Sequence, residues 1–232
     1  MRSARAKYQR VASWYDGLGE LYSGGAIRRA KLAHLEWVRS GDEVLYAGAG
    51  TGLEAVAARE AGARVTLLDT SPAMLSQARL RFEARGLPVV APEVELRQES
   101  LESHLRARPY DVVVASFFLN VYAKDALPAA LARLASLVRP NGHLVIVDFA
   151  PPSPRWTLRA VQQAYYVPPL LLFGALVGNP WHPLYDYARA LGETDRFWGV
   201  PERRTVHAFG LPLFEATAFR SEVLPSSAGG VG

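Results

Sequence analysis

Three glycines at alternate positions, Gly48, Gly50 and Gly52, followed by an acid at Asp69, are the residues of this chain best suited to hold a nucleotide-type ligand. Glycine lets the backbone come close to a ligand with no Cβ in between. A helix that starts directly after such a turn aims its free N–H groups at whatever sits there. An acid at the carboxyl end of the following strand can accept both hydroxyls of a ribose. Thr51 and Thr70 belong to the same two turns. No GK[ST] follows for a triphosphate, and no third glycine stands at the dinucleotide spacing. A second set of polar tips, Tyr165, Tyr166, His182, Tyr185 and Tyr187, lies in a stretch rich in proline, large aliphatics and aromatics. His182, whose free pKa lies near neutrality, is a candidate general base, with Tyr165 and Tyr185 as candidate partners. A structural role for a lone histidine stands beside that reading.

The elements that must position these groups follow from periodicity. Val44 to Ala47 reads as a short buried strand, Leu53 to Glu60 as a helix with apolar positions at helical spacing, and Arg64 to Leu68 as a second strand ending on Asp69. Ser71 and Pro72 cap a helix over Ala73 to Arg85 that stops at Gly86. Val94 to Arg97 is a third strand. Tyr110 to Ala115, almost uniformly apolar, is a fourth, buried on both faces. Its carboxyl end faces the ligand crevice of a doubly wound sheet, so Ser116 should meet a cofactor and Phe117, Asn120 and Tyr122 a substrate. Leu127 to Val138 is helical, Arg139 to Gly142 a turn, and Leu144 to Phe149 a fifth strand. Glu202 to Phe209 and Leu213 to Arg220 form a closing antiparallel hairpin. Upstream, residues 3 to 15 read as a helix broken by Tyr15-Asp16-Gly17, and Ala26 to Val38 as another after Ser23-Gly24-Gly25.

Composition narrows the partners. The absence of cysteine excludes disulfides, thiolate catalysis and cysteine zinc sites. A net charge of +4 permits attraction to an anionic membrane surface but is too diffuse to argue for nucleic acid. The basic N-terminus has no apolar core of signal-peptide length, and the longest apolar run, Tyr165 to Gly178, carries Pro168 and Pro169 and cannot span a bilayer. A cytoplasmic protein is expected, with peripheral membrane contact permitted.

VLYAGAGTG followed by LLDTSPAML resembles the class I S-adenosylmethionine-dependent methyltransferases, and VASWYDGLGELYSGGAIRRAK with LVRPNGHLVIVDFAPP resembles their ubiquinone/menaquinone C-methyltransferase group. The resemblance covers roughly residues 8 to 220. It implies an α/β fold: a Rossmann-like doubly wound seven-stranded sheet of order 3-2-1-4-5-7-6 with its last strand antiparallel. A helical N-terminal cap (1–40) and a helical insertion (151–192) before strand 6 complete one domain over 1–223, with a tail at 224–232. It further implies that Tyr15 lies in a leader folding over the cofactor, unless that leader merely caps the sheet edge. Met74 would lie near the adenine, unless it is simply core. Glu99 would accept the adenine amino group and the Ser100 backbone N–H would meet the ring, unless Glu99 is a surface carboxylate. Asp111 is architectural, and Asp148 either positions ligand or is a hydrogen-bonded strand end.

The function these readings imply is methyl transfer from S-adenosylmethionine to a hydrophobic small molecule, quinone-like or lipid-like, in a pocket to which Tyr166 also contributes. A natural-product O- or N-methyltransferase is one alternative, and a non-catalytic cofactor- or partner-binding protein another. The latter is motivated by Tyr46, which stands where the family commonly has an acid that helps hold the methionine ammonium group.

Overall fold

The computed structural model of the protein describes residues 15–177, 187–192, 194 and 197–222. Helices α1 (Tyr15–Ser23) and α2 (Ala26–Leu32) and a 3-10 turn (Ala33–Trp37) lead into β1 (Glu43–Ala47), α3 (Leu53–Glu60), β2 (Arg64–Leu68), α4 (Pro72–Glu83), β3 (Val94–Arg97) and β4 (Tyr110–Ser116). After a second 3-10 turn (Leu119–Val121) come α5 (Leu127–Ser136), β5 (Val138–Phe149), α6 (Trp156–Val177), α7 (Tyr187–Gly192), β6 (Phe197–Trp198), β7 (Glu202–Ala208) and β8 (Leu211–Glu222).

The strands β1 to β5 are mutually parallel in the order β3-β2-β1-β4-β5, and β8 closes the sheet antiparallel to β5. β7 pairs with β8, so the seven main strands have the expected 3-2-1-4-5-7-6 order. The two-residue β6 is an addition, pairing with the last residues of β8. Alternation along the strands builds two cores. Val44, Tyr46, Val112 and Val114 face one side, with α3, α4 and the N-terminal helices; Leu45, Ala47, Val113 and Ala115 face α5 on the other. Because both faces are covered, β1, β2 and β4 read as continuous apolar runs rather than alternating ones. Among the described residues no helix is long and apolar enough to cross a membrane.

Three local expectations are corrected. Tyr15-Asp16-Gly17 is itself helical, opening the helix over residues 15–23, while the rest of the helix expected over 3 to 15 lies outside the described residues; the break expected at Ser23-Gly24-Gly25 is present, with Gly24 and Gly25 both at positive φ. Helix-weakening Gly17 and Gly19 are offset by tertiary packing, since Tyr22 stacks on Tyr165 of α6 with ring centroids 4.5 Å apart. The helix expected to Val38 tightens after Leu32 into the 3-10 turn, where His34 Nδ1 meets the Lys31 carbonyl oxygen at 2.6 Å. The turn expected over Arg139 to Gly142 lies within β5 as an irregularity. There Asn141 has φ 60°, and a Cβ on Gly142 would come within 2.6 Å of the Asp111 carbonyl oxygen. Asp111 itself accepts from the Glu43 backbone N–H at 2.7 Å and from Arg139, tying the starts of β1, β4 and β5 together as an architectural acid should.

Candidate active site

The site is built at the carboxyl edge of β1, β2 and β4. Ala49 N–H donates to the Leu68 carbonyl at 3.0 Å, holding the glycine turn against the end of β2. Gly50 has φ 53°, a left-handed conformation that costs an L-residue, and a Cβ there would meet nothing within 4 Å. Its outer face is therefore open to a ligand. Gly48 serves a different need: a Cβ would lie 2.2 Å from the Phe118 ring, which rests on this turn.

Asp69 closes on the same turn. Its Oδ2 accepts from Gly50 N–H at 2.9 Å and its Oδ1 from Ser71 N–H at 2.8 Å. Burial raises its pKa above the ordinary carboxylate value, against the lowering effect of those backbone donors. A carboxylate has about four lone-pair sites, so two such bonds fix its plane and leave each oxygen an acceptor direction for a hydroxyl. Across the edge, Ser116 ends β4 with its Oγ buried and without a hydrogen-bond partner, a group that a ligand at this edge would satisfy. These features fit an adenosyl-type ligand held over the edge by Gly50, Asp69 and Ser116.

The backbone beyond β4 is strained. Phe117 has φ 49°, uncommon for a bulky residue, while its N–H donates to the Val147 carbonyl at 2.8 Å. This kink sends Phe117 against Phe149 and Phe214 and sends Phe118 the other way, over Gly48 and edge-on to Tyr122.

The remaining expected site residues fall into distinct groups. Glu99 is half exposed and bonded through Oε1 to His104 Nδ1 at 2.8 Å, with His104 Nε2 on the Tyr110 hydroxyl at 3.0 Å. Ser100 differs from expectation: its N–H donates to Ser103 Oγ at 3.1 Å, so that donor is turned into its own loop rather than toward a ring. Thr51 is buried, its Oγ1 accepting from Arg81 at 2.9 Å. Thr70 is exposed, Met74 and Asn120 are buried, and the Tyr122 hydroxyl donates to Glu102 at 2.9 Å. Tyr166 is a core residue, fully buried, its hydroxyl donating to the Leu213 carbonyl at 2.6 Å, which removes it from the polar tips available to an acceptor. Tyr165 donates to the Tyr22 carbonyl at 3.1 Å and accepts the Tyr22 hydroxyl on its own carbonyl at 2.7 Å, so it clamps α6 to α1. His182 and Tyr185 lie outside the described residues, as does the side chain of Tyr15.

Two clusters lie beyond what spacing reveals. At the end of β5, Asp148 accepts from the Tyr187 hydroxyl of α7 at 2.7 Å and from the Phe149 N–H at 2.8 Å. Beneath the glycine turn, the Tyr46 hydroxyl meets His34 Nε2 at 2.8 Å, and the Glu54 carboxylate stands 3.7 Å from Lys31 Nζ. Burial lowers the His34 pKa and raises that of Tyr46, so both are neutral near pH 7. The signal for this cluster was Tyr46 itself, in a place commonly acidic; nothing in the spacing pointed to His34.

A sheet of this order, with a glycine turn and a buried acid joined at its carboxyl edge, is the architecture of a nucleotide-type cofactor-binding enzyme. Residues 45–144 match the family model described as a methyltransferase domain. The chain is 31% identical over 200 residues to the demethylmenaquinone methyltransferase of Thermus thermophilus, covering 84% of this chain and 86% of that one. It is 30% identical over 176 residues to the ubiquinone/menaquinone biosynthesis C-methyltransferase of Paracoccus denitrificans, covering 74% and 68%. Among solved structures, the DhpI–SAH complex superposes with a TM-score of 0.66 at 22% identity over 96% of this chain and 97% of that one. The Burkholderia thailandensis 1,6-didemethyltoxoflavin-N1-methyltransferase superposes with a TM-score of 0.63 at 20% identity over 96% and 89%. The protein belongs to the class I S-adenosylmethionine-dependent methyltransferases, near the ubiquinone/menaquinone C-methyltransferase group.

Proposed function

We propose that the protein methylates a hydrophobic, quinone-like or lipid-like small molecule. The observation that carries this reading is the carboxyl edge itself, where the open face of Gly50, the two-point-anchored Asp69 and the unpartnered Ser116 Oγ converge. S-adenosylmethionine supplies an electrophilic methyl group on a sulfonium whose departure leaves a neutral thioether. Asp69 holds the ribose hydroxyls, Glu99 takes the adenine amino group from the β3 side, and the Gly48–Gly52 turn lies against the rest of the cofactor. Phe117 and Phe118 form the apolar wall between cofactor and acceptor and keep water from the reacting atoms.

Carbon or oxygen methylation of a phenol-like acceptor also requires loss of a proton. We assign that proton to Asp148, at the end of β5 and bonded to Tyr187. The quinone-like choice is supported by the names of the relatives and by the apolar, proline-rich insertion that follows β5. Calorimetry with S-adenosylmethionine tests the first half: a binding isotherm is expected, and none at high protein concentration would end the enzyme reading. Turnover with a panel of demethylated quinols, phenols and amines, read by a mass gain of one methylene unit, tests the second. Methylation confined to polar amines would refute the quinone-like acceptor.

A further inference from the structure

The helix that follows the β5 edge has two dissimilar faces. Its inner face is pinned to the sheet: Tyr166 donates to the Leu213 carbonyl, and Gln162 Nε2 donates to the Pro212 carbonyl at 3.3 Å. Among the described residues the outer face has no such partner. Trp156, Ala160, Ala164 and Val167 recur along one stripe with Val161 beside it, and Trp156 is 79% exposed, Val161 44% and Val167 37%. Leu21, 82% exposed, stands on α1, which the Tyr22–Tyr165 pair clamps to this same helix. An apolar stripe of this length on a water-soluble surface marks a docking face.

Charge decides what docks. No acidic residue occurs between Asp148 and Asp186, whereas Arg155 and Arg159, both exposed, flank the stripe. Two copies of the chain meeting on this face about a two-fold axis would bring arginines toward arginines, an arrangement that disfavours association. An anionic bilayer surface neutralises them, accepts the aliphatic stripe, and suits a tryptophan at the water interface. We infer that the outward face of α6 is a membrane-docking surface for anionic lipid, with Arg155 and Arg159 at the headgroups and Trp156, Val161 and Val167 in the acyl boundary. Since the inner face of this helix packs on Phe149 at the end of β5, docking places the carboxyl edge next to the bilayer. The inference rests on exposure and charge and stands apart from the identity of the acceptor.

The test is co-sedimentation of the full chain with sucrose-loaded vesicles of phosphatidylcholine, with and without phosphatidylglycerol, in the absence of any cofactor. Two arginines at an anionic surface should tighten binding about thirtyfold over neutral vesicles. Molar salt, which shrinks the screening length to about 3 Å, should remove that difference. Trp156→Asp and Val161→Asp should each weaken binding about tenfold or more, while Val200→Asp, at a site 92% exposed elsewhere on the chain, should bind as the parent does. Arg155→Gln with Arg159→Gln should abolish the preference for anionic vesicles. Failure to sediment with anionic vesicles at low salt overturns the proposal, as does parental binding by Val161→Asp. A lipid-free dimer that Val161→Asp dissolves would reassign the face to self-association. Calorimetry with S-adenosylmethionine is read separately, so failure of docking and failure of the methyltransferase reading are told apart.

Discussion

Replacing Gly50 and Gly52 by alanine, one at a time, separates a glycine kept for a ligand from one kept for packing. Both have left-handed backbones, at φ 53° and 73°, so each alanine carries a conformational cost of about 1–2 kcal/mol. At Gly50 nothing lies within 4 Å of the new methyl, so that cost is the whole effect on stability. At Gly52 the methyl would sit 2.8 Å from Ala78 Cβ and 3.1 Å from Leu67, adding an overpacking cost of about 1–3 kcal/mol. Urea denaturation should therefore show Gly50→Ala destabilised by about 1–2 kcal/mol and Gly52→Ala by about 2–5 kcal/mol. Calorimetry with S-adenosylhomocysteine should reverse the weight of the two effects. Gly50→Ala pushes a methyl into the ligand's side of the turn and should weaken binding tenfold or more, about 1.4 kcal/mol. If Gly50→Ala binds S-adenosylhomocysteine as tightly as the parent, the open face of Gly50 is not where the cofactor lies, and the placement of the site fails.

Tyr46→Phe leaves His34 Nε2 buried without its partner and should cost about 1–3 kcal/mol in urea denaturation; a loss below about 0.3 kcal/mol would show that the pair contributes little. The buried His34 has a folded-state pKa below its unfolded value of about 6.5, so its stabilising contribution is complete above that value and is lost as pH falls through the window beneath it. Stability measured from pH 7.5 down to 5.5 should therefore fall more steeply in the parent than in His34→Gln, and parallel curves would exclude His34 as the source. Asp148→Asn should lower kcat at least about a hundredfold with cofactor affinity unchanged, as loss of a general base does; an equal loss in both quantities would make Asp148 part of the cofactor site instead.

The sheet was legible because its signals are local: continuous apolar runs for β1, β2 and β4, punctuated by Gly48–Gly52, the Ser71-Pro72 cap and Gly86. The meeting of Gly50 and Asp69 was legible for the same reason, since the two sit at fixed distances along the chain from two strand ends. What escaped was the pairing of side chains. His34 reaches Tyr46 from a preceding 3-10 turn, His104 reaches back to Glu99 across a loop, and Tyr187 finds Asp148 from a helix well downstream. None of these pairs has a periodic or spacing signature, because side-chain hydrogen bonds between elements depend on how the elements pack. Tyr166 was misread for a related reason: a tyrosine in an apolar stretch looks like a ligand-facing tip until a buried carbonyl, here that of Leu213, satisfies its hydroxyl.

Tyr46 shows how a departure from the family pattern can be absorbed. An acid at this position would lie on the face of β1 covered by the N-terminal helices, where burial penalises its charge. The tyrosine places a neutral hydroxyl there instead and spends it on His34, binding the cap to the central strand at the root of the glycine turn. Negative charge is not lost from the region. Glu54, in the first turn of α3, is 4% exposed, with Oε1 buried and without a hydrogen-bond partner and Oε2 facing Lys31 beyond hydrogen-bonding distance. Its field reaches both His34, where it partly offsets the burial that lowers the pKa, and Tyr46, where it adds to the burial that raises it, and the partial positive charge of the helix N-terminus favours a carboxylate at that point. The acid expected on the strand is thus matched by one on the adjoining helix, two residues past Gly52. A phenol at position 46 is in this way compatible with a cofactor that carries positive charge at its methionine end.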